Sequence, residues 1–132
     1  MEQIKNAFTI LIVEDERITR EVITLILTRQ FPDFAIITAE TGMSGLEMFK
    51  RHEPQLVITD IKMPGMDGIE MAAAIKDIKA DTLFIAISAY DTSNYIERAN
   101  RVGFREFLVK PVKFPELFAA IENALSERLP DI

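Results

Sequence analysis

LVITDIKMPGMDG, residues 56–68, runs an apolar segment, Leu56-Val57-Ile58, through Thr59 into Asp60 and on into a turn built from Met63 to Gly68. The apolar run reads as a strand buried on both faces. A carboxylate at the end of such a strand is costly to desolvate, so its presence asks for a reason. The turn that follows is well specified. Pro64 fixes φ at the second position and Gly65 tolerates φ > 0 at the third, which predicts a type II turn. Asp67 with Glu70 reads as a capping box, Asp in the cap, opening a helix. A plain strand-to-helix connector would carry the same turn, but it does not account for Asp60.

The chain on either side repeats one unit. Phe8 to Val13 reads as a buried strand, followed by Ile18, Val22, Leu25 and Ile26 at helical spacing. Phe34 to Ala39 reads as a second strand, followed by a helix with Leu46 and Phe49 on its inner face. Past the quoted stretch, Ile69, Ala72, Ala73 and Ile75 suit a third helix and Leu83 to Ser88 a fourth strand. Asp91 to Arg101 is a weaker helix closed by Gly103, and Glu106 to Lys110 a fifth strand. Leu117, Phe118, Ile121 and Leu125 stripe a last helix. Strands alternating with helices predict an α/β fold, a parallel sheet covered by helices on both faces.

The chain has 132 residues, 48% of them apolar, which suits a single domain occupying 1–132 with a core over about 8–128. A net charge of −6 argues against direct nucleic acid binding and against an anionic membrane surface. With no cysteine there is no disulfide, thiolate nucleophile or cysteine-ligated zinc. The start, MEQIKNAFTILIVED, meets acid too soon after its apolar run for a signal peptide, and no apolar run reaches the length of a membrane span. A cytoplasmic location is the expectation. The final SERLPDI reads as a fraying tail or the start of a linker.

Ligands of open parallel sheets bind at the carboxyl ends of the strands. The residues there are Glu14 and Asp15 after the first strand, Glu40 and Thr41 after the second, Asp60 on the third, Ser88 on the fourth and Lys110 on the fifth. Singly, each has an ordinary explanation. Acids complement a helix N-terminus, Asp60 suits a turn, Ser88 a cap, and Lys110 a solvated strand end. Those explanations do not predict carboxylates, a hydroxyl and an ammonium on one rim. Clustered carboxylates raise one another's pKa, and a hard divalent cation such as Mg2+, which takes oxygen ligands, relieves the conflict. Lys110 adds a point charge suited to a phosphoryl group.

Four signatures, LIVEDE, LVITDIKMPGMDG, AISAY and FLVKP, stand in order along the chain, which thereby resembles the receiver domain of two-component response regulators (the CheY-like superfamily). The resemblance spans nearly the whole chain. It implies a flavodoxin-like sheet of strand order 2-1-3-4-5, with Glu40 standing apart on the edge strand. It implies Asp60 as phospho-acceptor, Glu14, Asp15, Asp60 and the backbone carbonyl of Lys62 as Mg2+ ligands with Asp15 the more direct of the acidic pair, Ser88 as donor to the phosphoryl oxygens and Lys110 as its counter-ion. Phe107 stands where the family has its switch aromatic, often Tyr, so a switch here works by packing alone. Lys62 and Tyr90 occupy positions that tune phosphoryl lifetime in the family, and neither can orient a water as an amide or carboxylate would. A proline-specific cis bond at Lys110-Pro111 is also a family feature.

The implied role is a phospho-acceptor signalling domain rather than an enzyme with turnover. It would take its phosphoryl group from a sensor histidine kinase or a histidine phosphotransfer protein, within a two-component system or phosphorelay. It would answer to a downstream effector through the surface of the fourth helix, fifth strand and fifth helix, which also suits a homodimer. A constitutive interaction module on the same fold is the alternative, opposed by the full acid, Ser and Lys set. A nucleotide or flavin protein would need a phosphate loop such as GxxxxGK[ST] or GxGxxG, and none is present. His52, the single histidine, reads as an exposed helix end, and Met63 and Met66 as packing or loop residues. Phe114, Leu117 and Phe118 read as core and its border.

Overall fold

The structure, a computed structural model, describes residues 8–89 and 93–128. In chain order the elements are β1 (Thr9–Val13), α1 (Arg17–Gln30), β2 (Ala35–Ala39), α2 (Gly42–His52), β3 (Leu56–Asp60), α3 (Gly68–Ile78), β4 (Leu83–Ser88), α4 (Ser93–Val102), β5 (Glu106–Val109) and α5 (Phe114–Arg128). The strands form one parallel sheet in the order β2-β1-β3-β4-β5. This is the expected flavodoxin-like arrangement. Because every strand runs the same way, all five carboxyl ends meet one rim.

The period-two alternation of a strand divides the core into two layers. Leu11, Val13, Val57, Phe84 and Ala86 face Phe49, Met71, Ala72, Ile75 and Ala99 of α2, α3 and α4. Ile10, Ile12, Leu56, Ile58, Ile85 and Ile87 face Ile23, Leu27, Leu117 and Ile121 of α1 and α5. Every residue of β3 is buried, as a central strand covered on both faces requires.

Two helical faces differ from the sequence expectation. On α1, Ile18, Val22 and Leu25 are 63%, 43% and 53% exposed, and the buried residues are Ile23 and Leu27. The helix carries enough apolar residues for two overlapping stripes. The packing surface offered by β1, β3 and α5 selects the one led by Ile23 and Leu27. On α3, Ala73 is exposed, while Ile69, Met71, Ala72 and Ile75 are buried. A methyl group contributes too little apolar area to mark a face. Element ends shift slightly as well: β1 opens at Thr9, β2 at Ala35, and β5 closes at Val109, leaving Lys110 just past it. The expected start of the fourth helix at Asp91 and the tail beyond 128 lie outside the described residues.

Phe49 is fully buried, so Phe49→Ala is expected to cost about 3–5 kcal/mol of unfolding free energy. Ile18→Ala, on the exposed stripe, should stay within about 0.5 kcal/mol. Urea titrations with equal m-values would measure both, and a large loss at Ile18 would contradict the assigned face.

Candidate functional site

The site begins with β3. Register pairs Thr59 with Val13 and Asp60 with Ile87, which sets Asp60 between the ends of β1 and β4. Alternation places Asp60 on the α1/α5 side of the sheet with Leu56 and Ile58. Glu14 continues that side from Ile10 and Ile12, and Lys110 from Leu108. The three side chains meet. Lys110 Nζ donates to Asp60 Oδ2 at 2.8 Å and lies 3.6 Å from Glu14 Oε1. Carboxylate oxygens of Glu14, Asp15 and Asp60 lie within 4.8 Å of one another, two of these acids buried and Asp15 exposed.

Backbone bonds hold the frame. Lys110 N–H donates to the Ser88 carbonyl at 2.8 Å, carrying the β4–β5 ladder one residue beyond β5 and bringing Lys110 beside Ser88. The Lys110-Pro111 bond is cis. Glu14 N–H donates to Ala39 O, and the Glu14 carboxylate accepts from Glu16 N–H at 3.0 Å. Helix capping is therefore part of what Glu14 does. Glu16, the N-cap residue of α1, makes no side-chain cap bond.

The loop after Asp60 folds back on the strand that carries it. Gly65 has φ +75°, as the type II turn requires. The Asp67–Glu70 capping box forms, with Glu70 N–H to Asp67 Oδ1 at 2.8 Å and Asp67 N–H to Glu70 Oε1 at 3.0 Å. Gly68 N–H donates to Ile61 O at 2.8 Å, and a Cβ on Gly68 would stand 2.3 Å from the carbonyl oxygen of Asp60. Only glycine lets the start of α3 close this tightly on Asp60.

Burial, not mutual repulsion, is the main force on the acids. It pushes the Asp60 carboxyl above the ordinary range, and the hydrogen bond and charge of Lys110 pull it only partly back. Burial raises Glu14 too, opposed by the Glu16 N–H and reinforced by the charge of Asp60. Burial works to lower Lys110, but its hydrogen bond to Asp60 and the charges of Asp60 and Glu14 outweigh that and hold the ammonium above its usual range. Three oxygen donors of this hardness, two of them short of compensating charge, fit a divalent cation of the Mg2+ type.

Ser88 is 3% exposed at the end of β4, on the other side of the sheet with Phe84 and Ala86. Phe107 packs on that same side, its register partner being Ala86 and its ring centroid 6.1 Å from that of Phe104. Lys62 is exposed in the loop two residues past Asp60. Tyr90 lies outside the described residues. Glu40 stands apart on the edge strand, and His52 is exposed in the last turn of α2, both as expected. Met63 is buried, and Met66 is half-buried against the same core layer.

One residue escaped the sequence reading. Arg20 Nη1 donates to the Glu14 carbonyl at 2.8 Å. Its position one turn into α1, six residues past Glu14, is the signal that was available.

A family model described as the response regulator receiver domain matches residues 10–122. The chain belongs to the receiver domain family of response regulators. Receiver domains are signalling domains of two-component systems, and the fold and acidic pocket here accord with switching by phosphorylation. The chain is 36% identical over 121 residues to the chemotaxis protein CheY of Bacillus subtilis, covering 91% of this chain and 99% of that one. It is 29% identical to the uncharacterized transcriptional regulatory protein YesN of the same organism, covering 91% of this chain but 33% of the relative. It thus spans about a third of that regulator's length, and 43% of an uncharacterized response regulatory protein of Staphylococcus epidermidis. Among solved structures, the response regulator TrrA of Thermotoga maritima, in complex with Mg(2+)-BeF, aligns with TM-score 0.78 and 34% identity over 89% of this chain and 98% of that one. A receiver domain protein from Clostridium thermocellum aligns with TM-score 0.86 and 28% identity over 92% and 96%.

Lys110→Met removes the counter-ion of two buried acids, and is expected to cost about 1–2 kcal/mol at pH 7 without added metal, less than a fully buried pair because Lys110 is part-exposed. The Asp60 and Glu14 pKa values are raised in the fold, so their ionised forms weigh against folding above those values, and that weight lifts as pH falls through them. The deficit of the variant should shrink over the same acid window. The stabilisation from Lys110's own raised pKa is present below 10.5 and is lost as pH rises through its folded value, so the deficit should close there too. Melting temperatures across pH would show this, and a deficit independent of pH would contradict it.

Proposed function

We propose that this chain is a phosphorylation-activated switch in which Asp60 accepts a phosphoryl group from a histidine kinase or histidine phosphotransfer protein. The supporting observation is the buried carboxylate of Asp60, held at a strand end with Lys110 at 2.8 Å and two further acids within reach. An Asp60 carboxylate oxygen attacks phosphorus, the P–N bond to the donor histidine breaks, and an aspartyl phosphate forms. The transferred group is already activated, so the protein contributes position and charge rather than covalent help. The rigid end of β3 aims the oxygen. Lys110 is placed to follow the negative charge from the carboxylate to the phosphoryl oxygens, and the Ser88 hydroxyl to donate to one of them. Glu14, Asp15, Asp60 and the Lys62 carbonyl would hold Mg2+, which supplies positive charge against the transferring group.

Ser88 and Phe107 lie on the same side of neighbouring strands, Phe107 pairing with Ala86 two residues before Ser88. A phosphoryl group that draws Ser88 inward gives the Phe107 ring room to turn, by packing alone. The surface that changes is α4-β5-α5, where Ile96 and Val109 already stand 40% and 51% exposed. An effector, or a second copy of the chain, would read that surface. The donor protein would dock on the exposed stripe of α1, beside a groove of about 250 Å³ lined by Ile18, Val22, Lys110, Pro111 and Phe114. No described helix is long and apolar enough to cross a membrane, and we read the chain as one receiver domain working in the cytoplasm. Any DNA contact would belong to another domain, since the net charge is −6.

With acetyl phosphate and Mg2+, intact mass should rise by one phosphoryl group, and Asp60→Asn or a chelator should abolish the gain. Undiminished labelling of Asp60→Asn would sink the assignment. Lifetime follows from Lys62 and Tyr90. An ammonium cannot accept a proton from the attacking water, and a phenol is bulky and offers no amide or carboxylate to orient that water. The phosphoryl state should therefore be long-lived, and Lys62→Asn with Tyr90→Glu should shorten it by about tenfold or more, as for a gained water-orienting group. Hydrolysis at the same rate in the double variant would remove these residues from the account.

A further inference from the structure

We propose that Arg20 is a positioning residue for the acidic pair, acting on Mg2+ binding through the backbone of Glu14 rather than through its charge. The proposal rests on the reading of Glu14, Asp15 and Asp60 as the metal site. Arg20 lies in the second turn of α1, with its N–H bonded to Glu16 O and its own carbonyl accepting from Thr24. Its side chain is only 15% exposed, uncommon for a guanidinium on a surface helix. Nη1 donates to the carbonyl oxygen of Glu14 at 2.8 Å, and Nη2 lies 3.9 Å from Glu40 Oε1, too far for a strong bond to that exposed acid.

The Glu14 carbonyl belongs to the peptide that leads into Asp15. The Glu14 N–H is tied to Ala39 O at 3.1 Å, and its carboxylate to the Glu16 N–H at 3.0 Å. Arg20 completes this set by fixing the carbonyl side. Asp15 itself is exposed. The plane of the Glu14–Asp15 peptide is one of the constraints on where the Asp15 carboxylate can reach. A planar guanidinium rooted in a helix holds that plane better than a solvent bond would.

Charge and position predict opposite signs. A buried cation beside a cation site repels the ion, so deleting it should tighten Mg2+ if charge dominated. If Arg20 acts by position, deleting it should weaken Mg2+, by about tenfold as for supports of metal ligands elsewhere. The experiment titrates MgCl2 into the full chain without phosphodonor, following amide shifts of Asp15, Asp60 and Lys62 by NMR. Arg20→Met should bind about tenfold more weakly than wild type, and equal or tighter binding overturns the proposal. Arg20→Lys keeps the charge but offers a point ammonium on a shorter stem. It should bind about threefold more weakly, and wild-type affinity in it overturns the proposal even if Arg20→Met does not fold. If wild type itself shows no Mg2+-dependent shifts at these residues, the metal reading fails and this inference with it. That result is distinct from loss of the Arg20 effect alone.

Discussion

The structure depends on a carboxylate kept where water scarcely reaches it. Asp60 is 6% exposed at the end of a strand whose residues are all buried. Burial makes its ionised form costly, and the 2.8 Å bond from Lys110 offsets only part of that cost. A group left short of positive charge, in a rigid frame, is a group ready to receive it. Much of the surrounding architecture serves this condition. The parallel sheet aligns five strand ends, the β3–α3 loop closes on the Asp60 carbonyl through Gly68, and the β4–β5 ladder extends to Lys110.

The two sides of the sheet divide the labour. Glu14, Asp60 and Lys110 belong to the side packed by α1 and α5, where charge is gathered. Ser88 and Phe107 belong to the side packed by α2, α3 and α4, where a change in charge can be turned into a change in packing. The strand pleat makes that division with no additional device, because adjacent residues point to opposite faces. On the proposed function, a phosphoryl group on Asp60 would sit at the rim, where the two sides of the sheet meet. A ligand shifts an equilibrium only through what it binds differently in the two states, and in the proposed switch Ser88 would supply that difference.

The exposed apolar residues also fall on separate parts of the surface. The exposed stripe Ile18, Val22 and Leu25 lies along α1 on one flank of the pocket, whereas Ile96 and Val109 lie on α4 and β5. On the proposed function, input and output would then occupy separate faces of one small sheet.

Much of this was legible in the sequence. Strands and helices of fixed period, the turn at Pro64-Gly65, the Asp67–Glu70 cap and the acids, serine and lysine after the strands are local patterns, and local patterns survive reading one residue after another. The meeting of Glu14, Asp15, Asp60 and Lys110 followed once the sheet was taken as parallel, whereas the pleat turns Ser88 to the other side. Other features depended on partners distant in the chain. Which of two apolar stripes on α1 is buried was decided by β1, β3 and α5, since the helix alone supports both. That burial outweighs repulsion in raising the acids was decided by how closely the covering helices shut out water. The bond from Arg20 to the Glu14 carbonyl joins a helix side chain to the strand end before it, a contact that only the folded chain displays. Periodicity and turn chemistry are properties of neighbours in sequence; burial, charge balance and side-chain reach are properties of neighbours in space, and only the folded chain brings those together.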